Sequence, residues 1–420
     1  MTSESLTAVP ALSQQRWTQL LLGIIAMMII SNPQYVWTLF VKPLQTDLNA
    51  GLAAIQVAFS ILIVVQTWLS PLQGYLIERF GSRKLISVGA GLSGIGWVLA
   101  GYSNSVMMLY LTYGLLCGIG TGIVYVGIIG QTVKWFPDKR GFAAGLVASG
   151  YGLGALVTTF PINTMLGTHG VTYTLVFFGA LFGLLGVLIG LGMRDPPADL
   201  QKQFPPRTSI VNSDPENDAS PSQMIRSPIF WTLFLMMAMM STGGLMVISQ
   251  FAAFARDFGV ADVLVWGLPA LPLALTLDRL TNGCTRPIFG WISDKIGREN
   301  TMALAFVLEG LSIMLLVHYR SNATLFVLLS GVVFFAWGEI FTLFPSTLTD
   351  IFGTRNATTN YGILYLAQGI GSVLGGPVAA LIHDATGSWL PIFATIIGMD
   401  LLTAFFAVAI LKPMRRSLRR

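Results

Sequence analysis

Long apolar stretches separated by short polar segments dominate the chain. A helix needs roughly 20 apolar residues to cross the hydrocarbon core of a membrane, and the stretches have about that length. We therefore predict an all-α, polytopic membrane protein with twelve transmembrane helices, called spans 1 to 12 in chain order. The predicted spans cover residues 17–40, 52–76, 84–104, 106–133, 141–163, 171–193, 228–255, 263–291, 301–319, 322–349, 358–383 and 388–411.

A polar, proline-rich segment separates the sixth span from the seventh. Residues 194–227 contain six prolines and few large apolar side chains. Such a composition buries too little apolar surface to order itself, so we expect a flexible cytoplasmic linker. The linker divides the chain into an N-terminal six-helix half, residues 1–193, and a C-terminal six-helix half with a basic tail, residues 228–420.

An internal repeat relates the two halves. GYLIERFGSRK (residues 74–84) recurs as GWISDKIGREN (residues 290–300), each after the second span of its half, and FPDKRG (136–141) has a partial counterpart in FPSTLTDIFGTRN (344–356). Repeated six-helix halves are typical of secondary transporters, whose substrate lies near the membrane midplane. Acidic and basic residues in these loops can pair in one conformation and act as gates, although a purely structural loop explains each of them equally well. The gating candidates are Glu78, Arg79, Arg83, Asp294, Lys295 and Arg298.

Composition and charge support a membrane protein and exclude other classes. Hydrophobic residues make up 54% of the chain and charged residues only 10%, against about 25% charged residues in soluble domains. The net charge of +5 does not indicate nucleic-acid binding, because the basic residues fall in alternate loops. This asymmetry predicts that both termini are cytoplasmic in a multi-pass protein of the cell inner (plasma) membrane. The basic tail, which ends in Arg415, Arg416, Arg419 and Arg420, is a topology signal that also contacts anionic lipid.

Further chemistry is limited. Cys117 and Cys284 lie in apolar segments of different halves, without the spacing of a disulfide framework or a metal site. No Walker motif, nucleophile–base pair or metal cluster is present, so we expect neither an enzyme nor a cofactor. The first apolar run is too long for a cleaved signal peptide and is expected to remain as span 1. We expect a monomer in the lipid bilayer.

Span 8 carries charges inside an apolar setting. An arginine at the centre of a bilayer costs roughly 2.5–3.5 kcal/mol on insertion scales, so an intramembrane arginine is a candidate functional residue. Asp278, Arg279, Asn282 and Arg286 fall within an arc of about 100° on a helix. One aspartate cannot neutralise two arginines, which favours an anion-binding site. The alternative is an internal ion pair between Asp278 and an arginine that only fixes helix packing.

Other spans add polar and aromatic candidates. Glu339 in span 10 is either a proton or counter-ion site or a partner that holds Arg279 or Arg286, and we favour the partner. Glu309 and Asp400 are also intramembrane acids, to which the sequence assigns no role. Aromatic hydroxyls and ring edges suit a small carboxylate, although a core role is the commoner explanation for any one of these rings.

Several motifs together resemble a known family. They are NPQYVWTLFVKPL (32–44), GIVYVG (122–127), KWFPDKRG (134–141), SGYGLG (149–154), NGCTRP (282–287), SDKIGR (293–298) and FFAWGEIFTLFPST (334–347). Over nearly the whole chain the sequence resembles the oxalate/formate antiporter family of the major facilitator superfamily, which is related to the monocarboxylate transporters. The resemblance implies a small organic anion held between the halves and exchanged by alternating access.

The resemblance also implies site residues. The family's span 8 arginine corresponds to Arg286 and the polar residue one turn earlier to Asn282. The family's aromatic cage corresponds to Tyr35, Tyr125, Tyr151, Trp337 and Tyr365.

Two positions depart from the family pattern. Gln368 stands where the oxalate transporter has a lysine, and Phe341 stands where the family has a phenol. A dianion requires two cations when it leaves water, so a monocarboxylate fits this chain at least as well as oxalate, unless Arg279 is the second cation. Proton-coupled monocarboxylate symport, with Asp278 or Glu339 as the titrating group, therefore remains an alternative to exchange. A membrane sensor that does not transport is a more distant alternative.

Overall fold

The computed structural model describes residues 3–197, 200–205 and 218–417. The middle of the predicted linker, residues 206–217, and the basic tail residues Arg419 and Arg420 lie outside the described residues. Helices account for nearly all of the described chain. They cover Ser3–Ile30, Asn32–Tyr35, Trp37–Asp47, Leu52–Trp68, Ser70–Phe80, Ser82–Gly101, Val106–Leu109, Cys117–Trp135, Arg140–Gly192, Leu200–Gln203, Pro221–Ile225, Pro228–Asp257, Ala270–Ile296, Arg298–His318, Ala323–Trp337, Ile340–Phe352, Ala357–Val373, Ala379–Thr386, Leu390–Phe406 and Lys412–Ser417. Wider π-helical turns cover Tyr110–Leu116, Leu374–Val378 and Ala407–Leu411.

The described helices account for the twelve predicted spans. Eight are long and apolar enough to cross a membrane, or ten when two strongly bent pairs each count as one span. Arg140–Gly192 contains spans 5 and 6, because Gly170 at φ 79° and ψ −179° interrupts the helix. Ala270–Ile296 is span 8, whose charged residues keep its hydropathy low. The fold is therefore that of an all-α, polytopic membrane protein.

Span 1 is longer and more broken than predicted. It continues to Asp47 rather than ending at residue 40, it contains Pro33, and it bends by 48° between Tyr35 and Leu39. Proline has no N–H to donate to the carbonyl four residues earlier. The side-chain amide of Asn32 donates to that carbonyl, Ile29 O, at 2.9 Å and to Met28 O at 3.0 Å. The carbonyl of Ile29, which Pro33 leaves without a backbone donor, is thus bonded and not exposed to lipid.

Span 8 begins later than predicted. Its helix starts at Ala270, and the residues before it form a two-stranded antiparallel ribbon, Leu264–Val265 with Leu268–Pro269. Trp266 and Gly267 both have positive φ, 52° and 82°, the conformation of a two-residue type I′ hairpin turn. The tight turn with a following proline overrides the apolar pattern that predicted helix from residue 263.

The chain packs as two compact units. The first, called the N-terminal unit, contains Met1–Asp138, Leu146–Pro206 and Thr354–Tyr365. The second, called the C-terminal unit, contains Lys139–Gly145, Arg207–Gly353 and Leu366–Arg420. Each unit therefore includes the start of one helix that belongs by sequence to the other half: span 11 in the N-terminal unit and span 5 in the C-terminal unit.

The repeated loops have the same backbone geometry in both units. Gly81 ends the helix of span 2 at φ 91° and ψ 144°, and Gly297 ends that of span 8 at φ 92° and ψ 156°. L-amino acids with a side chain rarely adopt such a φ, so glycine is required at both positions. The sequence repeat is therefore also a structural repeat.

The helices before these loops pack alike in both units. In the N-terminal unit Gly362 of span 11 lies against the backbone of Ser70 and Pro71 in span 2. In the C-terminal unit Gly145 of span 5 lies against the backbone of Arg286 and Pro287 in span 8. A side chain at either glycine would collide with main-chain atoms. Ser70–Pro71 and Arg286–Pro287 therefore occupy equivalent positions, four residues before Gly74 and Gly290.

The predicted flexible linker is wrong at its two ends. Leu200–Gln203 and Pro221–Ile225 are helical, and the second helix begins with a reciprocal capping box between Ser220 and Gln223. Leu200 and Met224 are fully buried. A few apolar side chains and a helix cap are therefore enough to order these ends on the helices beside them.

Candidate substrate site and gating loops

Arg286 and Tyr125 are the most deeply buried of the predicted binding residues, and Arg286 is the charged one. Its side chain lies in the middle of span 8 with 1% of its surface exposed. Its Nη2 donates to Asn282 Oδ1 at 2.7 Å, one helical turn earlier, and its guanidinium lies 4.7 Å from the centre of the Phe341 ring. The amide and the aromatic face hold a planar cation that can bind a carboxylate through two parallel hydrogen bonds.

The break in span 10 lies beside Asn282, the residue that accepts a hydrogen bond from this arginine. Ala323–Trp337 and Ile340–Phe352 are separate helices, and Gly338 at the break lies against Asn282, where a Cβ would be 2.7 Å from the Asn282 carbonyl oxygen. Glu339 follows directly, is fully buried, and experiences the charge of Arg286. Among the described residues, its carboxylate oxygens have no hydrogen-bond partner. Its interaction with Arg286 is therefore electrostatic and not a hydrogen-bonded ion pair.

Trp337 lies at the same break. Its indole Nε1 donates to Met240 O in span 7 at 2.9 Å, and its ring meets that of Phe341 edge to face at 5.4 Å. Gly244 leaves room for the indole, since a side chain at that glycine would overlap the ring. The tryptophan thus holds Phe341, which in turn lies against Arg286.

The remaining charges of span 8 lie nearer its start. Asp278 is buried beside Ser330 of span 10, and Arg279 is half-buried. In span 11 of the same unit, Gln368 is 7% exposed and its Oε1 accepts a hydrogen bond from Ser241 Oγ at 2.6 Å. A serine in span 7 therefore orients the amide at the position where the family resemblance implies a lysine.

Four of the predicted aromatic residues cluster in the N-terminal unit. The Tyr125 ring lies 5.2 Å from that of Tyr151 and stacks on Tyr365 at 5.0 Å, and Tyr35 lies 5.6 Å from Tyr151. The Tyr151 hydroxyl donates to Gln34 Oε1 at 2.6 Å. The structure thus brings together rings from spans 1, 4, 5 and 11. Trp337, the fifth aromatic candidate, belongs to the C-terminal unit.

In the N-terminal unit, Glu78 of the first repeated loop caps a helix. Its Oε1 accepts the backbone N–H groups of Thr358 and Thr359 at 2.9 and 3.1 Å, and its Oε2 accepts the Thr359 hydroxyl. These groups form the first turn of span 11, where the helix dipole favours an anion. Lys134 Nζ lies 3.9 Å from the same carboxylate.

In the C-terminal unit, Asp294 of the second repeated loop does the same for span 5. Its carboxylate accepts the backbone N–H groups of Gly141 and Phe142 at 3.1 and 2.9 Å. It also pairs with Arg298 at 2.6 Å. Each repeated loop therefore places its acidic residue on the N-terminus of a helix from the other half of the sequence.

The second loop continues into a buried ion-pair network. Asp350, at the end of span 10, accepts hydrogen bonds from Arg140 at 2.7 Å, Arg298 at 3.0 Å and Arg415 at 3.4 Å. Arg415 also pairs with Glu299 at 2.9 Å and is only 4% exposed. The prediction that this tail arginine contacts lipid is therefore wrong, because acidic groups of the C-terminal unit bind it instead.

The other gating candidates lie on the surface. Arg79 donates to the Tyr75 hydroxyl at 3.3 Å, Arg83 is exposed, and Lys295 lies 3.6 Å from the centre of the Trp291 ring. Within the described residues, none of these three side chains forms an ion pair with an acidic residue. They differ in this respect from Glu78, Asp294 and Arg298.

Sequence reasoning missed two sets of contacts. The Phe341 ring faces a cation, which the departure from a phenol at this position did not indicate. Arg140, Asp350 and Arg415 meet from three distant segments, and only the isolated acidic residue at the end of an apolar span was visible as a signal. Contacts at such separations depend on tertiary packing.

The comparisons with known proteins agree with this architecture. The family described as Major Facilitator Superfamily matches residues 20–277 and 268–420, almost the whole chain. The chain belongs to the major facilitator superfamily. It is accordingly a multi-pass membrane transporter and not an enzyme.

Individual relatives of this superfamily member are similar along most of their length. An oxalate:formate antiporter from Oxalobacter formigenes is 35% identical over 399 residues, covering 94% of this chain and 90% of the relative. Monocarboxylate transporter 13 from Bos taurus is 25% identical over 80% of this chain and 75% of the relative. The solved structure of the proton:xylose symporter XylE bound to 6-bromo-6-deoxy-D-glucose has a TM-score of 0.74 at 15% identity, covering 95% of this chain and 96% of that one, which shows the fold alone.

Proposed function

We propose that this transporter carries small carboxylates by alternating access, exchanging one organic anion for another as the name of the oxalate:formate antiporter indicates for that relative. Arg286 binds the substrate carboxylate. The observation that carries the proposal is a guanidinium with 1% exposure inside an apolar helix, oriented by Asn282 and Phe341. A carboxylate that leaves water needs a cation and good hydrogen-bond geometry, which a guanidinium provides.

We infer the substrate class from the other predicted binding residues. Trp337 and Gln368 contribute an aromatic wall and a neutral amide, and Tyr35, Tyr125, Tyr151 and Tyr365 provide hydroxyls and ring edges. With glutamine at 368 and phenylalanine at 341, the chain favours monoanions such as formate more strongly than a site with a second cation would. Asp278, Arg279 and Glu339 balance the charge of the site.

The repeated loops control access in this proposal. Glu78 and Asp294 hold the starts of spans 11 and 5, and Arg298 joins Asp294 to Asp350. These contacts break when the carrier changes conformation, while Arg79, Arg83 and Lys295 keep the loops at the cytoplasmic membrane surface. The two six-helix halves, residues 1–193 and 228–420, act as a monomer in the inner membrane, with the 194–227 linker and both termini in the cytoplasm.

Arg286→Gln is the direct test. The experiment measures counterflow of labelled oxalate and labelled formate into proteoliposomes preloaded with unlabelled anion. Losing a buried charge partner costs about 2–5 kcal/mol, so substrate affinity should fall by roughly thirtyfold or more. Arg286→Lys keeps the charge but not the planar fork, and should weaken binding as well. Asn282→Asp places a competing carboxylate at the atom that now orients Arg286 and should also reduce affinity.

Arg320→Gln is the matched control, because Arg320 lies on an exposed turn. It should leave counterflow unchanged. Thermal unfolding of each purified variant separates loss of binding from loss of fold. Wild-type affinity in folded Arg286→Gln would contradict the assignment of Arg286, and wild-type vesicles without counterflow of either anion would contradict the substrate class.

A further inference from the structure

Three buried carboxyl groups lie in the membrane-spanning part of the C-terminal unit. Glu309 lies in the middle of span 9, Asp400 in the middle of span 12, and Glu339 at the break of span 10. All three side chains are 0% exposed. Their helices are contiguous only in the folded unit, so the sequence shows three isolated intramembrane acids.

A glycine of span 7 brings two of these carboxyls to one point. A Cβ at Gly243 would lie 3.3 Å from Asp400 Oδ1 and 3.8 Å from Glu309 Oε1. Gly310, next to Glu309, would place a Cβ 3.3 Å from Asp400 Cβ. Because Gly243 and Gly310 have no side chain, spans 7, 9 and 12 approach closely, with the two carboxyl groups between them.

The pair lacks the partners that an ionised carboxylate needs. Within the described residues, none of the oxygens of Glu309, Asp400 and Glu339 has a hydrogen-bond partner. Span 7 has no titratable residue from Pro228 to Ala255, and the helix Leu390–Phe406 has only Asp400. Burying an ionised carboxylate without partners is very unfavourable, so such groups bind protons instead.

Glu339 adds an independent observation from a different helix. It is fully buried, its carboxylate oxygens have no hydrogen-bond partner among the described residues, and it interacts electrostatically with Glu309, as Asp400 does. The charge of Arg286 in span 8 acts in turn on Glu339. Electrostatic interactions therefore relate the proposed substrate-binding arginine to Glu339, and Glu339 to the Glu309–Asp400 pair.

The ligand that fits this pair is a proton. Among the described residues, no group of three or more His, Cys, Asp or Glu side chains has the arrangement of a metal site. Two neighbouring carboxyls can share a proton, and an additional proton neutralises both.

We propose that Glu309 and Asp400 form a proton-binding site, which Glu339 connects electrostatically to Arg286, so that the carrier moves protons together with its anion. The inference deepens the proposed function and rests on Arg286 as the carboxylate site. A substrate carboxylate at Arg286 competes with Glu339 for the positive charge, which favours a proton on the acidic cluster. The proton binds from water on one side of the membrane and leaves to water on the other side after the conformational change.

The double variant Glu309→Gln with Asp400→Asn tests this inference. Amides copy the size and neutrality of protonated carboxyls, so the variant is locked in a state equivalent to the proton-loaded one. Two measurements are made on the full chain in proteoliposomes: counterflow of labelled oxalate or formate, and net uptake of labelled oxalate driven by an acidic exterior with no anion inside. Asp262→Asn, an exposed acid in the loop before span 8, is the matched control.

Wild type and Asp262→Asn should show both counterflow and proton-driven accumulation. The double variant should retain counterflow, which does not require proton release, and lose proton-driven accumulation. In the infrared spectrum, the carboxylic acid C=O band of the purified wild type should decrease in the double variant, which reports proton binding without transport.

Two results would overturn the inference while the proposed function stands. One is counterflow without any proton-driven uptake in wild type, and the other is unchanged proton-driven uptake in the double variant. An unchanged carboxylic acid band in the double variant would also overturn it. Absence of counterflow in wild type would instead contradict the proposed function, and the infrared band would then decide on the proton site by itself.

Discussion

At the scale of single residues, the cation of the proposed site occurs in only one of two equivalent positions. Ser70 in span 2 occupies the position of Arg286 in span 8, since each precedes a proline that packs against a glycine of a helix start. Ser70 Oγ donates to Gly362 O at 2.7 Å and so completes a helix contact. The repeat therefore supplies the scaffold twice, and one substitution provides the charge that makes the two units chemically different.

Gln368 determines how much negative charge the site accepts. Gln368→Lys should raise affinity for oxalate relative to formate, because a second cation favours the dianion. We expect a change in the oxalate-to-formate affinity ratio on the order of tenfold, which corresponds to about 1.4 kcal/mol. Competition of each unlabelled anion against labelled counterflow measures the ratio.

Gln368→Met is the control for this change, because it removes the hydrogen bond from Ser241 without adding charge. It should lower both affinities similarly and leave their ratio near the wild-type value. An unchanged ratio in a folded Gln368→Lys variant would mean that span 11 does not contribute to the site at this residue.

At the scale of helices and loops, acidic side chains stabilise the contacts between the repeated loops and the N-termini of spans 11 and 5. Glu78 and Asp294 each accept two backbone N–H groups of a helix N-terminus. A negative charge at this position contributes typically 0.3–1 kcal/mol and up to about 2 kcal/mol when partly buried. The two loops differ in their cations, since Lys134 lies 3.9 Å from Glu78 whereas Arg298 lies 2.6 Å from Asp294.

Asp294→Asn should therefore destabilise the protein more than Glu78→Gln does. Removing Asp294 takes the negative charge from a helix start and leaves Arg298, which is 1% exposed, with one carboxylate fewer. Breaking a buried pair by removing one partner costs about 3–5 kcal/mol. Thermal unfolding of the purified variants measures the difference as a lower midpoint for Asp294→Asn.

Arg83→Gln in the first repeated loop provides the control, because Arg83 is exposed, and its midpoint should stay at the wild-type value. A midpoint for Asp294→Asn equal to that of Arg83→Gln would show that the network around Asp350 does not depend on this carboxylate.

Local sequence patterns predicted the helices well and the contacts between the helices poorly. Apolar length was sufficient for twelve spans. The start of span 8 was wrong because the Trp266–Gly267 turn overrides hydropathy. The buried pair of Glu309 and Asp400 could not be predicted, since span 9 and span 12 meet through glycines whose packing partners are specified only by the fold.

The candidate substrate site could be predicted in part from the sequence. A charged residue in an apolar span is visible in sequence, so Arg286 could be singled out, and Asn282 is one turn away on the same helix. The Phe341 ring below the guanidinium depends on the break of span 10. The equivalence of Ser70 and Arg286 was present in the sequence as SPLQG and RPIFG (residues 70–74 and 286–290), an extension of the repeat by four residues towards the N-terminus.

At the scale of the whole molecule, the number of spans and the positions of basic residues predict the orientation in the membrane. Twelve crossings place both termini on the same side of the membrane. Lys and Arg concentrate on the cytoplasmic side of membrane proteins, and here they occupy the loops after spans 2, 4, 8 and 10, the linker and the tail. The loops between spans 11 and 12 and between spans 9 and 10 contain few basic residues, so we expect them on the opposite side.

Cysteine labelling in cells tests this orientation. In a background with Cys117→Ser and Cys284→Ser, Asp384→Cys should react with a membrane-impermeant maleimide in intact cells, because Asp384 is exposed between spans 11 and 12. Ser417→Cys, exposed at the end of the tail helix, should react only after the membrane is permeabilised. The two positions control for each other, since span 12 lies between them and a single crossing requires opposite behaviour. Labelling of Ser417→Cys in intact cells would contradict the predicted orientation. The repeated loops with Glu78 and Asp294 would then face the exterior, and the proposed cytoplasmic gate could not operate there.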